Sequence, residues 1–177
     1  MLKPITEVVG ARLVDLDKSQ TLGEVINWVI NPDEKKISAL MVKPLGLFTR
    51  TLAVTTVDVV EYGPKIVVVK NQHALVSPNE VVHLPKLLRQ KRHVIGNPVV
   101  TQSGKKLGIV EDILFETSDS TIQKIYVQPS IFGILHQPDL IIGADKIISI
   151  ESKRIVITDN GDNLAAIREV SPAPTAN

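Results

Sequence analysis

Ser103-Gly104-Lys105-Lys106-Leu107-Gly108-Ile109-Val110-Glu111-Asp112-Ile113-Leu114-Phe115 decides how this chain is read, because a looser copy of it lies half a chain earlier. The copy is Gln20-Thr21-Leu22-Gly23-Glu24-Val25-Ile26-Asn27-Trp28-Val29-Ile30. In both, a polar turn leads to Leu-Gly, one residue intervenes, then comes Val, with apolar residues three and five positions beyond it. Both copies also meet a proline at the same remove, since Pro44 and Pro129 each lie 21 residues past their glycine. A long-period repeat of this kind is the mark of one structural unit made twice. The chain of 177 residues therefore divides into two units of roughly 75 to 85 residues, each small enough to need support from the other.

Turn signals and short β-branched runs fill each copy. In the first, a lead-in at Ile5 to Val9 precedes strands at Gly10 to Val14, Thr21 to Ile30, Ile37 to Val42, Thr51 to Thr55, Val57 to Glu61 and Lys65 to Lys70. The step of three from Val25 to Trp28 predicts a bulge at Ile26-Asn27, and Asn31-Pro32 predicts the hairpin turn that follows. In the second, strands are expected at Asn97 to Thr101, Leu107 to Glu116, Thr121 to Gln128, Leu140 to Gly143, Ile147 to Ile150 and Lys153 to Thr158. Short runs between turns, without a helix long enough for a crossover, predict an all-β chain of two tandem small, mostly antiparallel β-barrels. Residues 1–76 and 95–160 form the units. Residues 77–94 form a helical connector, opened by the serine cap, proline and glutamate of Ser77-Pro78-Asn79-Glu80 and restarted at Pro85. Residues 161–177 hold a short helix and a disordered tail.

Composition narrows the function classes. Aromatics are 3% of the chain, so Val, Ile and Leu must build the core, and the absence of cysteine removes disulfides and thiolate chemistry. That absence, with no leader-like start and no apolar run near the ~18 residues of a membrane span, points to a cytoplasmic protein. The net charge of +1 hides a local excess: residues 86 to 95 contain Lys86, Arg89, Lys91 and Arg92 and no acid.

The repeated hairpin strand, with Val9-Gly10 and Ile95-Gly96 opening the two units and Ile141-Ile142-Gly143-Ala144-Asp145-Lys146-Ile147 leading to a closing hairpin, resembles the PRC-barrel family. That family is named for the cytoplasmic domain of the photosynthetic reaction-centre H subunit and includes the C-terminal part of a ribosome maturation factor. The likeness covers nearly all of residues 9 to 158 and is looser in the first unit, where Asn27 stands at the position of Asp112. It implies a small β-barrel in each half, used as a docking module, and carries no catalytic residue set.

Chemistry-bearing residues are sparse. Glu111-Asp112 and Asp15-Leu16-Asp17 are the acid clusters. Neighbouring strand residues point to opposite faces, so these read as turn caps or solvated carboxylates rather than as an acid/base pair. His73, His83, His93 and His136 show no ligand-pair spacing, so no metal or other cofactor is expected. Gly104-Lys105-Lys106-Leu107-Gly108 lacks the Gly-Lys-Ser/Thr ending of a phosphate loop and reads as a hairpin turn.

Two connections stand out for being apolar where loops are ordinarily polar: Pro44 to Thr49 and Pro129 to Pro138. They can fold over the barrel ends or pack between the barrels. As exposed patches, Leu45, Leu47, Phe48, Ile131, Phe132, Ile134 and Leu135 would dock a protein partner, a second copy or a membrane surface. The expected function is a non-enzymatic adaptor that docks on a larger complex through these loops. The alternative is an RNA- or ribosome-associated assembly factor using Lys86, Arg89, Lys91 and Arg92.

Overall fold

The computed structural model describes residues 1–46, 50–90, 92–129 and 139–159. The chain opens on β1 (Leu2–Pro4) and a 3-10 turn at Ile5–Glu7. It continues through β2 (Arg12–Asp15), β3 (Gln20–Asn31), β4 (Lys36–Pro44), β5 (Leu52–Thr55), β6 (Val59–Gly63) and β7 (Ile66–Val69). After α1 (Leu84–Gln90) come β8 (Pro98–Thr101), β9 (Lys106–Glu116), β10 (Ile122–Pro129), β11 (Leu140–Gly143), β12 (Ile147–Ile150) and β13 (Ile155–Ile157). The expected all-β class holds: strands dominate, and they form two curled mixed sheets with one short helix among the described residues.

The sheets share one strand order. The first runs β5-β4-β3-β2-β7-β6 and the second β11-β10-β9-β8-β13-β12, the same sequence of neighbours element for element. Pairing is antiparallel except where β2 meets β7 and β8 meets β13, which run parallel. The 21-residue spacing has a direct cause in this register, because Gly23 is the cross-strand partner of Pro44 and Gly108 of Pro129. The backbones come so close there that a Cβ at Gly23 would lie 2.4 Å from the Lys43 carbonyl oxygen, and one at Gly108 would lie 2.0 Å from that of Gln128. Only glycine fits.

The predicted bulge is present and doubled. Between Val25 and Asn27 the ladder to β4 skips Ile26, and between Val110 and Asp112 the ladder to β10 skips Glu111. Each shift bends its long strand, so that β3 and β9 serve both halves of their curled sheets.

A single hydrophobic cluster joins the sheets, with Leu13, Val25, Leu40 and Val67 from the first and Val110, Ile113, Ile125 and Ile155 from the second. Tyr62 of β6 meets Phe115 of β9 edge to face, ring centres 5.2 Å apart. Burying such side chains yields about 25 cal/mol per Å² of apolar area. Two units this small thus complete each other's interior.

The hairpin tips clasp reciprocally. Lys36 bridges Thr121, the Ile37 amide donates to the Ser120 carbonyl at 2.9 Å, and the Ile122 amide donates to the Lys35 carbonyl at 2.8 Å. Lys36 meets its own counterpart Thr121, and the two flanking bonds are the same bond with the repeats exchanged, which is the signature of a local two-fold axis. Lys35 adds a one-sided link, its Nζ donating to the carbonyls of Ala144 (2.9 Å) and Ile147 (2.6 Å).

Two features depart from the sequence expectation. The start of the chain does not merely lead into the first sheet: β1 pairs with β9 of the second, Lys3 opposite Phe115. The Ser77 capping box forms, with the Ser77 amide donating to Glu80 Oε2 at 2.8 Å, but it closes only a 3-10 turn at Pro78–Glu80. The α-helix starts later, at Leu84, with Pro85 in its first turn where a missing N–H costs nothing. Leu84 of this helix packs on Val29, Ala39, Met41 and Ala53, the outer face of the first sheet. That cover explains why Ala39 to Val42 is buried without a break. The expected helix at Asn163 to Val170 and the tail lie outside the described residues.

Candidate docking surface

Leu45 follows the close Gly23–Pro44 contact, its amide held by the Leu22 carbonyl at 3.1 Å, and its side chain is 64% exposed. Of the apolar loop residues singled out in the sequence it is the one within the described residues. Leu47, Phe48, Ile131, Phe132, Ile134 and Leu135 lie outside them. Exposed aliphatic side chains also occur at Val57 in the turn before β6, at Val60 on β6, at Val82 before α1, and at Ile148 on β12.

The basic residues do not act alike. Lys86 and Arg89 are exposed on α1, with Arg89 Nε donating to the Pro85 carbonyl at 3.2 Å. Arg92 is half-buried and donates to the carbonyl of Ile150 in β12, which ties the connector to the second sheet. Lys91 lies outside the described residues.

The acid clusters are local braces. Asp112 accepts the Thr6 amide at 3.3 Å, the Thr6 hydroxyl and the Ile113 amide at 2.6 Å, so it fastens the turn after β1 to the bulge of β9. Fully buried Asp15 accepts the amides of Lys18 (2.9 Å) and Gln72 (3.0 Å), and Asp17 accepts from Asn71 at 3.2 Å. Carboxylates whose lone pairs are filled by backbone donors hold turns rather than move protons. Gly104 sits at φ +88° in a hairpin turn, its amide donating to the Thr101 carbonyl at 2.9 Å. His73, His83 and His93 are exposed, and His136 lies outside the described residues. Among the described residues no group of three or more acids and histidines is placed to hold a metal ion. No helix there is long and apolar enough to cross a membrane.

Burial pushes the Tyr62 hydroxyl up to about 12. The nearby Ser120 hydroxyl pulls weakly the other way, but its geometry falls short of a hydrogen bond and the phenol oxygen has no partner. On the surface, a hydrogen bond from Arg154 (2.8 Å) holds Glu151 below the usual carboxylate range.

One concavity was not anticipated from sequence. A groove of about 210 Å³ runs between α1 and the far half of β3, lined by Asn27, Trp28, Leu88, Arg92, His93 and Val94. The available signals were the chain's one tryptophan and the Leu87-Leu88 pair on a basic helix. No curated protein matches the chain. Residues 90–164, which include β8 to β13 of the second sheet, match the family model of the PRC-barrel domain.

Proposed function

We propose that the protein is a non-enzymatic adaptor of two tandem PRC-barrel-like units, residues 1–76 and 95–160, joined by a connector at 77–94. It docks a larger protein complex through the apolar residues after β4 and β10. The single observation that carries this reading is Leu45, a large aliphatic side chain left in solvent just past a strand whose residues Ala39 to Val42 are buried. The PRC-barrel match supports it, because that domain is generally an interaction and assembly module. The repeated strand order supports extending the likeness to the first unit.

Affinity capture from the native cell, at low and at high salt, tests the proposal. Apolar docking survives high salt, since screening weakens charge contacts and not hydrophobic ones. Leu45→Ser, Phe48→Ser and Phe132→Ser should release the partner while far-UV circular dichroism stays unchanged. Folded variants that retain the partner would end the idea. Size-exclusion with light scattering reports whether the partner is a second copy.

The RNA- or ribosome-associated reading draws on Lys86 and Arg89, the two exposed bases of α1. It requires salt-sensitive RNA retention that is lost when both are changed to Gln.

A further inference from the structure

We infer that the groove between α1 and β3 takes up an extended, acidic segment of a partner protein as an added β-strand. The inference rests on the docking reading above and names a second site for it. Its basis is the broken equivalence between the two sheets. On β9, Leu114 and Phe115 have strand partners on both sides, β10 on one and β1 on the other, and Glu116 pairs with β1 while its amide donates to the Thr121 carbonyl. The matching residues of β3, Val29–Asn31, pair with β4 on one side only. The segment that should fill the vacant side by the repeat, residues 88–90, is helical instead and lies over the face of the sheet. Ile30 therefore stands where Phe115 stands, without the Lys3 that pairs with Phe115. A strand edge left unpaired next to a groove is a template for an incoming strand.

The lining sets the chemistry of the guest. Trp28 and Leu88 offer apolar contacts, Arg92 supplies positive charge and His93 a ring N–H donor at the rim. Lys86 and Arg89 extend the same sign along α1, and residues 86 to 95 contain no acid. A peptide alternating aliphatic and acidic residues matches both, with one set of side chains turned into the groove and the other toward the bases. Asn27 Oδ1 already accepts the Trp28 amide at 2.8 Å, as Asp112 Oδ1 accepts the Ile113 amide, so the bulge ahead of the edge is set before any guest arrives.

Trp28 is the chain's one tryptophan, so its emission reports the site in the full-length protein. A capped hexapeptide alternating Val and Glu should change Trp28 fluorescence saturably and shift the Ile30 amide resonance. N-methylating its central residues removes the ladder donors and should abolish the change. Replacing Glu by Lys should weaken binding roughly tenfold, the sum of two or three rim charge pairs. His93→Glu, at an exposed position, should weaken it roughly fivefold with circular dichroism unchanged. Equal binding by the N-methylated or the Lys peptide overturns the inference, as does a Trp28 response to oligouridylate and none to the Glu peptide. Capture of the cellular partner by the His93→Glu protein, with peptide binding lost, leaves the loop-docking reading standing. Loss of capture in the loop variants with peptide binding intact separates the two sites.

Discussion

At the scale of single residues, close backbone approach rather than chain flexibility dictates the two central glycines. Gly108→Ala sets a methyl group against the Gln128 carbonyl and should cost roughly 3 kcal/mol or more, because backbone on one strand must move. Gly96, at φ +82° with nothing near its missing Cβ, gives a contrast. Gly96→Ala strains only the local dihedral and should cost about 1 to 2 kcal/mol. Thermal denaturation of the two variants side by side checks the ordering. Tyr62 supplies a different test. Its phenol is buried without a partner, so Tyr62→Phe should be neutral or stabilising by about 1 kcal/mol at neutral pH. The folded-state value of about 12 lies above the ordinary value of 10.0, so folding favours the neutral phenol. Its contribution is fully present below the unfolded value and is lost as pH rises from 10 through 12. Alkaline unfolding should therefore begin later in Tyr62→Phe than in the parent, as followed by circular dichroism against pH.

At the scale of elements, the hairpins were legible and their placement was not. Leu-Gly-x-Val, the bulge step at Ile26 and the turn at Asn31-Pro32 are local signals, and each sits in the structure where local chemistry puts it. β1 escaped notice because Leu2-Lys3-Pro4 is three residues long, includes a proline, and acquires strand character only from a partner more than a hundred residues away. The groove escaped for a similar reason: Trp28 and Leu88 are remote in sequence, and the missing strand beside Ile30 becomes visible only when one sheet is compared with the other. The apolar loops were readable as unusual, and Leu45, the one of their singled-out residues within the described residues, is exposed. The clasp between Thr6 and Asp112 makes the placement of the lead-in testable. Thr6→Ala should cost about 1 to 2 kcal/mol in chemical denaturation, and adding Asp112→Asn should cost less than the separate effects imply, since both remove one interaction.

At the scale of the whole molecule, the sheets are mechanically one body. Their interiors merge, the hairpin tips cross-pair about a local two-fold axis, and each lead-in reaches toward the other sheet: β1 to β9, α1 to β3. Unfolding should then be a single transition, with Trp28 fluorescence and far-UV circular dichroism giving the same midpoint. Lys35→Ala, which removes two charge-assisted bonds to the second sheet, should lower that midpoint by about 2 kcal/mol of stability without splitting it. A variant in which the two probes separate would show that the halves fold alone. The route of β1 also bears on biosynthesis. Residues 2–4 are translated well before residues 114–116, the edge they join. At about 5 to 20 residues per second, the opening segment waits roughly 6 to 20 s for its site to be translated. In that interval a newborn chain carries an unpaired β1, which can seat on the finished β9 of a neighbour further along the same message, so crowded polysomes favour exchange of residues 2–4 between nascent copies.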